Sequence, residues 1–134
     1  MKKSLLIILT GISIASCTKQ VAKPGAANQN NLFFEDAHVA VESMNAVPSA
    51  TGTVTVNFST AFENNISRIE LMSSATANTF CTTQSVDVAG NSIVEKNYSF
   101  SDANVKGSTM YYMLRFKDNN GNWSYSPYLT VHVN

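Results

Sequence analysis

The stretch TMYYMLRFK, Thr109 to Lys117, decides the fold. Its residues Tyr112, Leu114 and Phe116 stand at every second position, with Met113, Arg115 and Lys117 between them. A period of two sends one set to one face of an extended chain and the other set to the opposite face. Turn-forming residues bound the segment, KGS before it and DNNGN after it. The reading is a β-strand with one face in a core.

Moving outward, the same period recurs on both sides. YLTVHV aligns Leu129, Val131 and Val133, and EKNYSFSD places Tyr98 and Phe100 on one face. FCTTQSVDV is a weaker strand ended by AGN. ISRIELMS sets Ile69 and Leu71 against Arg68 and Glu70, with AFENN before it as a loop. TVTVNFS aligns Val54, Val56 and Phe58, and Val39 and Val41 alternate with His38, Ala40 and Glu42. These are seven short strands with turn signals between them and no convincing helical period. Charges alternate with apolar residues, as expected of sheets with one wet face. Two such sheets bury their apolar sides by packing face to face, so the expectation is an all-β sandwich.

The N-terminus reads differently. Lys2 and Lys3 precede LLIILTGISI, Leu5 to Ile14, which carries no charge. That run is too short for a membrane-spanning helix, which needs about 20 apolar residues. It fits the apolar middle of a secretory signal, with Ala15 and Ser16 as the small residues before a cleavage site. The competing reading is a short buried helix, for which a strand-rich domain offers no partner. Residues 18–31, TKQVAKPGAANQNN, have no periodicity and read as a flexible spacer, with Leu32, Phe33 and Phe34 as the first apolar cluster able to dock on the domain's edge. The expected organisation is a leader over residues 1–16, a tether over 17–34 and a domain over 35–134.

Without Lys2 and Lys3 the chain holds seven basic residues against nine acidic ones. A slightly negative protein lacks the basic footprint that nucleic acid requires. The domain, at roughly 100 residues, suffices for one core.

Ile14-Ala15-Ser16-Cys17 resembles the lipobox of bacterial lipoproteins: an aliphatic residue, two small ones, then cysteine. The resemblance implies cleavage before Cys17, a diacylglyceryl thioether on its sulfur and a further acyl chain on its amino group. One chain holds a protein to a membrane only marginally; two or three hold it firmly. Thr18, rather than Asp, follows the cysteine, which by the sorting rule known in enteric bacteria implies the outer membrane. Cys81 is then a thiol without an intramolecular partner, expected as a small buried side chain with no disulfide in the fold.

GTVTVNFSTAFENNISRIELMSS and KGSTMYYMLRFKDNNGNWSYSP resemble the B–C and F–G regions of fibronectin type III domains, closest to the modules of secreted Bacteroidetes proteins. The resemblance covers residues 36–134 and implies a seven-stranded immunoglobulin-like sandwich. It implies that Tyr112 is a corner tyrosine whose hydroxyl bonds the backbone near VKG, and that Phe58 fills the place of the family's buried tryptophan. Ser67 stands where tyrosine is frequent, and the B–C loop lacks proline, both departures from the pattern.

Functional candidates are sparse. DNNGN, Asp118 to Asn122, alternates oxygen side chains like a calcium loop, but Trp123 and Leu129 stand where such a loop needs Gly and Glu, so a hairpin turn is the reading. Trp123, Tyr125 and Tyr128 form a stacking platform for a sugar or protein partner, or else Trp123 and Tyr125 cap the open end of the sandwich while Tyr128 covers a sheet face. His38, His132 and Cys81 are too scattered to suggest catalysis, and no metal or cofactor motif is present. The expectation is a non-catalytic, lipid-anchored binding or scaffold module of the cell envelope, periplasmic or surface-exposed, with envelope proteins or glycans as partners. A carbohydrate-binding lipoprotein and a subunit of a surface fibre are the alternatives.

Overall fold

The computed structural model describes residues 17–19, 34–36 and 38–133. The expected leader, residues 1–16, and the centre of the expected tether, residues 20–33, lie outside the described residues. Among the described residues every regular element is a strand: β1 (Cys17–Lys19), β2 (Phe34–Glu35), β3 (Val39–Pro48), β4 (Val54–Asn64), β5 (Ile66–Ser74), β6 (Thr79–Asp87), β7 (Asn91–Ser92), β8 (Lys96–Asp102), β9 (Thr109–Asp118), β10 (Trp123–Tyr125) and β11 (Leu129–His132). They form two antiparallel sheets. The larger runs β1-β6-β5-β9-β10, with β11 also on β9; the smaller runs β2-β3-β4-β7, with β8 also on β4. Each of the seven stretches of alternation in the sequence is a strand.

The core lies between the sheets. Val39, Val41, Met44, Val54, Val56, Phe58 and Phe100 come from the smaller sheet, and Ile66, Ile69, Leu71, Met110, Tyr112, Leu114, Phe116, Leu129 and Val131 from the larger. Burying one such aliphatic or aromatic side chain contributes about 1.5–3 kcal/mol. Phe58 is buried, stacked on Tyr98 with ring centroids 4.8 Å apart.

The chain crosses from one sheet to the other at Asn65, which takes a positive φ of 59°. Asparagine tolerates that conformation better than other residues with a Cβ. Its carbonyl accepts from Asn119 N at 2.9 Å and its side-chain oxygen from Asn119 Nδ2 at 2.9 Å, tying this corner to the β9–β10 turn. In that turn the Asp118 carboxylate accepts from the N–H groups of Asn120 and Asn122, both at 2.8 Å, and from Asn122 Nδ2 at 3.0 Å, while Gly121 takes a φ of 88°. The carboxylate is thus occupied by the turn's own donors.

Three expectations need correction. Ala61–Glu63 is not loop: β4 continues to Asn64, pairing Phe62 with Ala40 and Glu63 with Val39 beyond two register shifts, one at Ala61 of β4 and one at Glu42 of β3. The reason is Glu63, which points inward where the pattern calls for an apolar residue. Its carboxylate is satisfied by Thr60 Oγ1 at 3.0 Å, Lys96 Nζ at 3.3 Å and the Tyr98 hydroxyl.

Cys81 is not a lone buried thiol. It is half-buried and joined to Cys17 by a disulfide across β1 and β6, where the two residues are register partners. Cys17–Lys19, read as the start of a spacer, is accordingly an edge strand of the larger sheet. The other end of that span is also paired, Phe34 with Val41 at the edge of the smaller sheet.

Tyr112 does not bond the backbone near VKG. Its hydroxyl donates to Asp102 Oδ2 at 2.9 Å, because the end of β8 puts a buried carboxylate within reach of the ring.

Candidate functional site

Alternation along β9 gives the larger sheet a second lined face. Met110, Tyr112, Leu114 and Phe116 enter the core, so Tyr111, Met113, Arg115 and Lys117 point away from it. The neighbours follow by register: Met72 pairs with Met113 and with Thr82, Glu70 with Arg115, Trp123 with Lys117, and Tyr125 with Arg115.

At one end of this outward face sits a buried ion pair. Arg115 Nε donates to Glu70 Oε2 at 2.8 Å, and a second guanidinium nitrogen binds the same oxygen. Thr82 accepts from Arg115 at 3.3 Å and donates to Glu70 at 3.2 Å. The Trp123 ring lies over the guanidinium at 4.0 Å, with Lys117 Nζ 5.5 Å from its centroid. A desolvated guanidinium on an indole face is a favourable cation–π arrangement.

Beside it is an apolar cluster, Met72, Phe80 and Met113, against which Tyr111, Tyr125 and Tyr128 pack. Tyr128 touches Phe80 with centroids 5.9 Å apart and meets Tyr111 edge-on at 5.4 Å. The β10–β11 link is pinned by Ser126, whose Oγ accepts from Leu114 N at 2.9 Å and whose N–H donates to Leu114 O at 2.9 Å. That clamp fixes Tyr125 and Tyr128 on either side of Pro127.

Trp123, Tyr125 and Tyr128 therefore share one sheet face but not one platform. Trp123 and Tyr125 do not cap the open end of the sandwich. Both are half-buried on the outward face, Trp123 with the ion pair and Tyr125 with the methionine–phenylalanine cluster. Arg115, Glu70, Thr82 and Tyr111 belong to the same surface and were missed in the sequence. The alternation of Arg115 with Leu114 and of Glu70 with Ile69 signals their common orientation, but only the β5–β9 register brings them together.

The histidines stand apart. His38 Nδ1 is 3.1 Å from Asn64 O beside the Asn65 corner, whereas His132 Nδ1 is 3.3 Å from Thr109 Oγ1 at the opposite end of β9. Among the described residues no three His, Cys, Asp or Glu side chains are grouped to hold a metal ion. Comparison with protein-family models, with curated proteins and with solved structures gave no match to this chain.

Proposed function

We propose that the chain is a lipid-anchored fibronectin type III-like module of the cell envelope, acting without catalysis as a binding or scaffold unit through the outward face of its larger sheet. The observation that carries the reading is the layer on that face: Trp123 over Arg115, and three tyrosines over Met72, Phe80 and Met113. Ordered aromatic and arginine side chains on a sheet face not covered by the second sheet are the composition that protein interfaces favour. Arg115 occupies one face of the indole, so Trp123 serves as a rigid contact better than as an open sugar platform.

The strand arrangement supports the family likeness. The stretches resembling strands B and C are β4 and β5, which lie in opposite sheets, and the stretch resembling strand F, β9, lies beside β5, as in immunoglobulin-like sandwiches. The basic head, apolar run and lipobox ending at Cys17 support the anchor, with the outer membrane as its site. Thioether and disulfide compete for one sulfur, so acylation at Cys17 leaves Cys81 as a thiol.

The test is a cross-linked pull-down from native membranes with the full-length protein and with Trp123→Ala and Tyr128→Ala. Loss of a captured envelope protein in both variants, each still folded by circular dichroism at the temperature of the assay, is the expected result. Undiminished capture by both variants removes the docking face from the account.

A further inference from the structure

The smaller sheet also has an outward face, and its chemistry is unlike that of the larger one. Inward positions on β3, β4 and β8 are taken by Met44, Phe58 and Phe100, and the alternate positions carry amides and hydroxyls. Register sets them in rungs across three strands: Ser43, Ser59 and Asn97 in one, Asn45, Asn57 and Ser99 in the next. Neighbouring strands bring such side chains about 4.8 Å apart. Ser43, Asn45, Asn57, Asn97 and Ser99 line a groove of 310 Å³, with Phe58 and Tyr98 beneath, and no lining residue is charged.

One atom in the groove stands out. Asn45 Oδ1 is buried and has no hydrogen-bond partner. Buried polar atoms are rarely left in this state, because burial removes water without supplying a replacement. Asn45 shares the groove with exposed Asn57, Asn97 and Ser99, whose side chains offer both donors and acceptors.

We propose that this groove binds a neutral glycan strand. A sugar hydroxyl donates and accepts at once, so, with the half-buried Asn45 amide turned toward the groove, it can donate to Oδ1 while accepting from a neighbouring amide. Adjacent hydroxyls on a ring match the donor–acceptor pair of one asparagine side chain. An anionic or cationic ligand finds no opposite charge among the lining residues. A peptide adding as a strand needs a free backbone edge, but β4 in the centre of the groove is already paired on both sides, with β3 and with β8. The groove lies on the sheet opposite the proposed docking face and shares no residue with it, so the two readings stand or fall separately.

The experiment titrates the full chain with a panel of neutral oligosaccharides, alongside uronate-bearing and sialylated ones and an extended peptide, followed by side-chain amide chemical shifts in NMR. Binding of a neutral oligosaccharide with shifts at Asn45, Asn57 and Asn97 is expected, weakened at least tenfold by Asn57→Ala or Asn97→Ala. Both residues are exposed, so an unchanged thermal midpoint separates lost binding from lost folding. Absence of neutral-sugar binding at millimolar concentration, preference for the charged sugars or the peptide, or binding that survives the double variant overturns the proposal.

Discussion

The Tyr112 hydroxyl and the Asp102 carboxylate meet at 2.9 Å in the core, joining β9 to the last residue of β8 and so one sheet to the other. Asp102 Oδ1 also accepts from Asn104 N at 2.9 Å, which holds the chain as it leaves β8. Burial, and then the bond to Asp102, push the tyrosine proton's dissociation well above its ordinary value of 10.0.

Tyr112→Phe keeps the ring and removes the donor, leaving a buried carboxylate short of a partner. The expected cost is about 1–3 kcal/mol, read as a lower midpoint in urea. A raised folded-state value means that the tyrosine contributes fully below pH 10.0 and loses its contribution as pH climbs beyond it. The wild-type protein should therefore lose stability at alkaline pH more steeply than the variant.

Arg115→Ala takes from the buried Glu70 its closest cation, leaving it Thr82 and, at 3.9 Å, Arg68. Breaking such a pair from one side costs about 3–5 kcal/mol, whereas replacing both partners by apolar residues of similar size is often neutral or stabilising. Denaturation of Arg115→Ala beside Glu70→Leu/Arg115→Met should show the double variant as the more stable one. Tryptophan emission should shift in both, because each removes the closer of the two cations at the Trp123 ring.

The turn after β9 supplies a prediction at the acidic end. The Asn122 N–H above all, with the Asn122 side chain and the Asn120 N–H, holds the Asp118 carboxyl below its ordinary value of 3.8, against an opposing effect of burial. A depressed value means stability present above 3.8 and lost as pH falls through the folded-state value. Asp118→Asn should melt below wild type near neutrality, and the gap should close on acidification; a constant gap would show that the charge is irrelevant to the turn.

The two cysteines make a prediction by mass. In membranes the N-terminal peptide should begin at Cys17 and carry acyl chains, and Cys81 should take up a thiol reagent after unfolding. In exported protein whose acylation is blocked, the reagent should react only after reduction, since the sulfurs are then paired. A soluble chain beginning at an unmodified Met1 would refute the anchor.

Much of the sandwich was legible because alternation is local. Val54, Val56 and Phe58, or Leu114 and Phe116, announce their face without reference to any other strand. Glu63 was illegible for the opposite reason: besides Thr60 nearby, its inward carboxylate relies on Tyr98 and Lys96, more than thirty residues away in sequence. The candidate surface divides in the same way. Trp123, Tyr125 and Tyr128 attract notice as aromatics near a turn, but the pairing of Arg115 with Glu70 is a property of register. Cys17 and Cys81 lie 64 residues apart, and only the edge pairing of β1 with β6 brings them opposite each other.

The inward rows of the two sheets commit their outward rows to opposite sides of a thin slab. Whatever settles over Trp123 has its back to whatever settles over Asn57. On the two proposed readings the occupants approach from opposite directions, and one copy of the chain would bridge two envelope components.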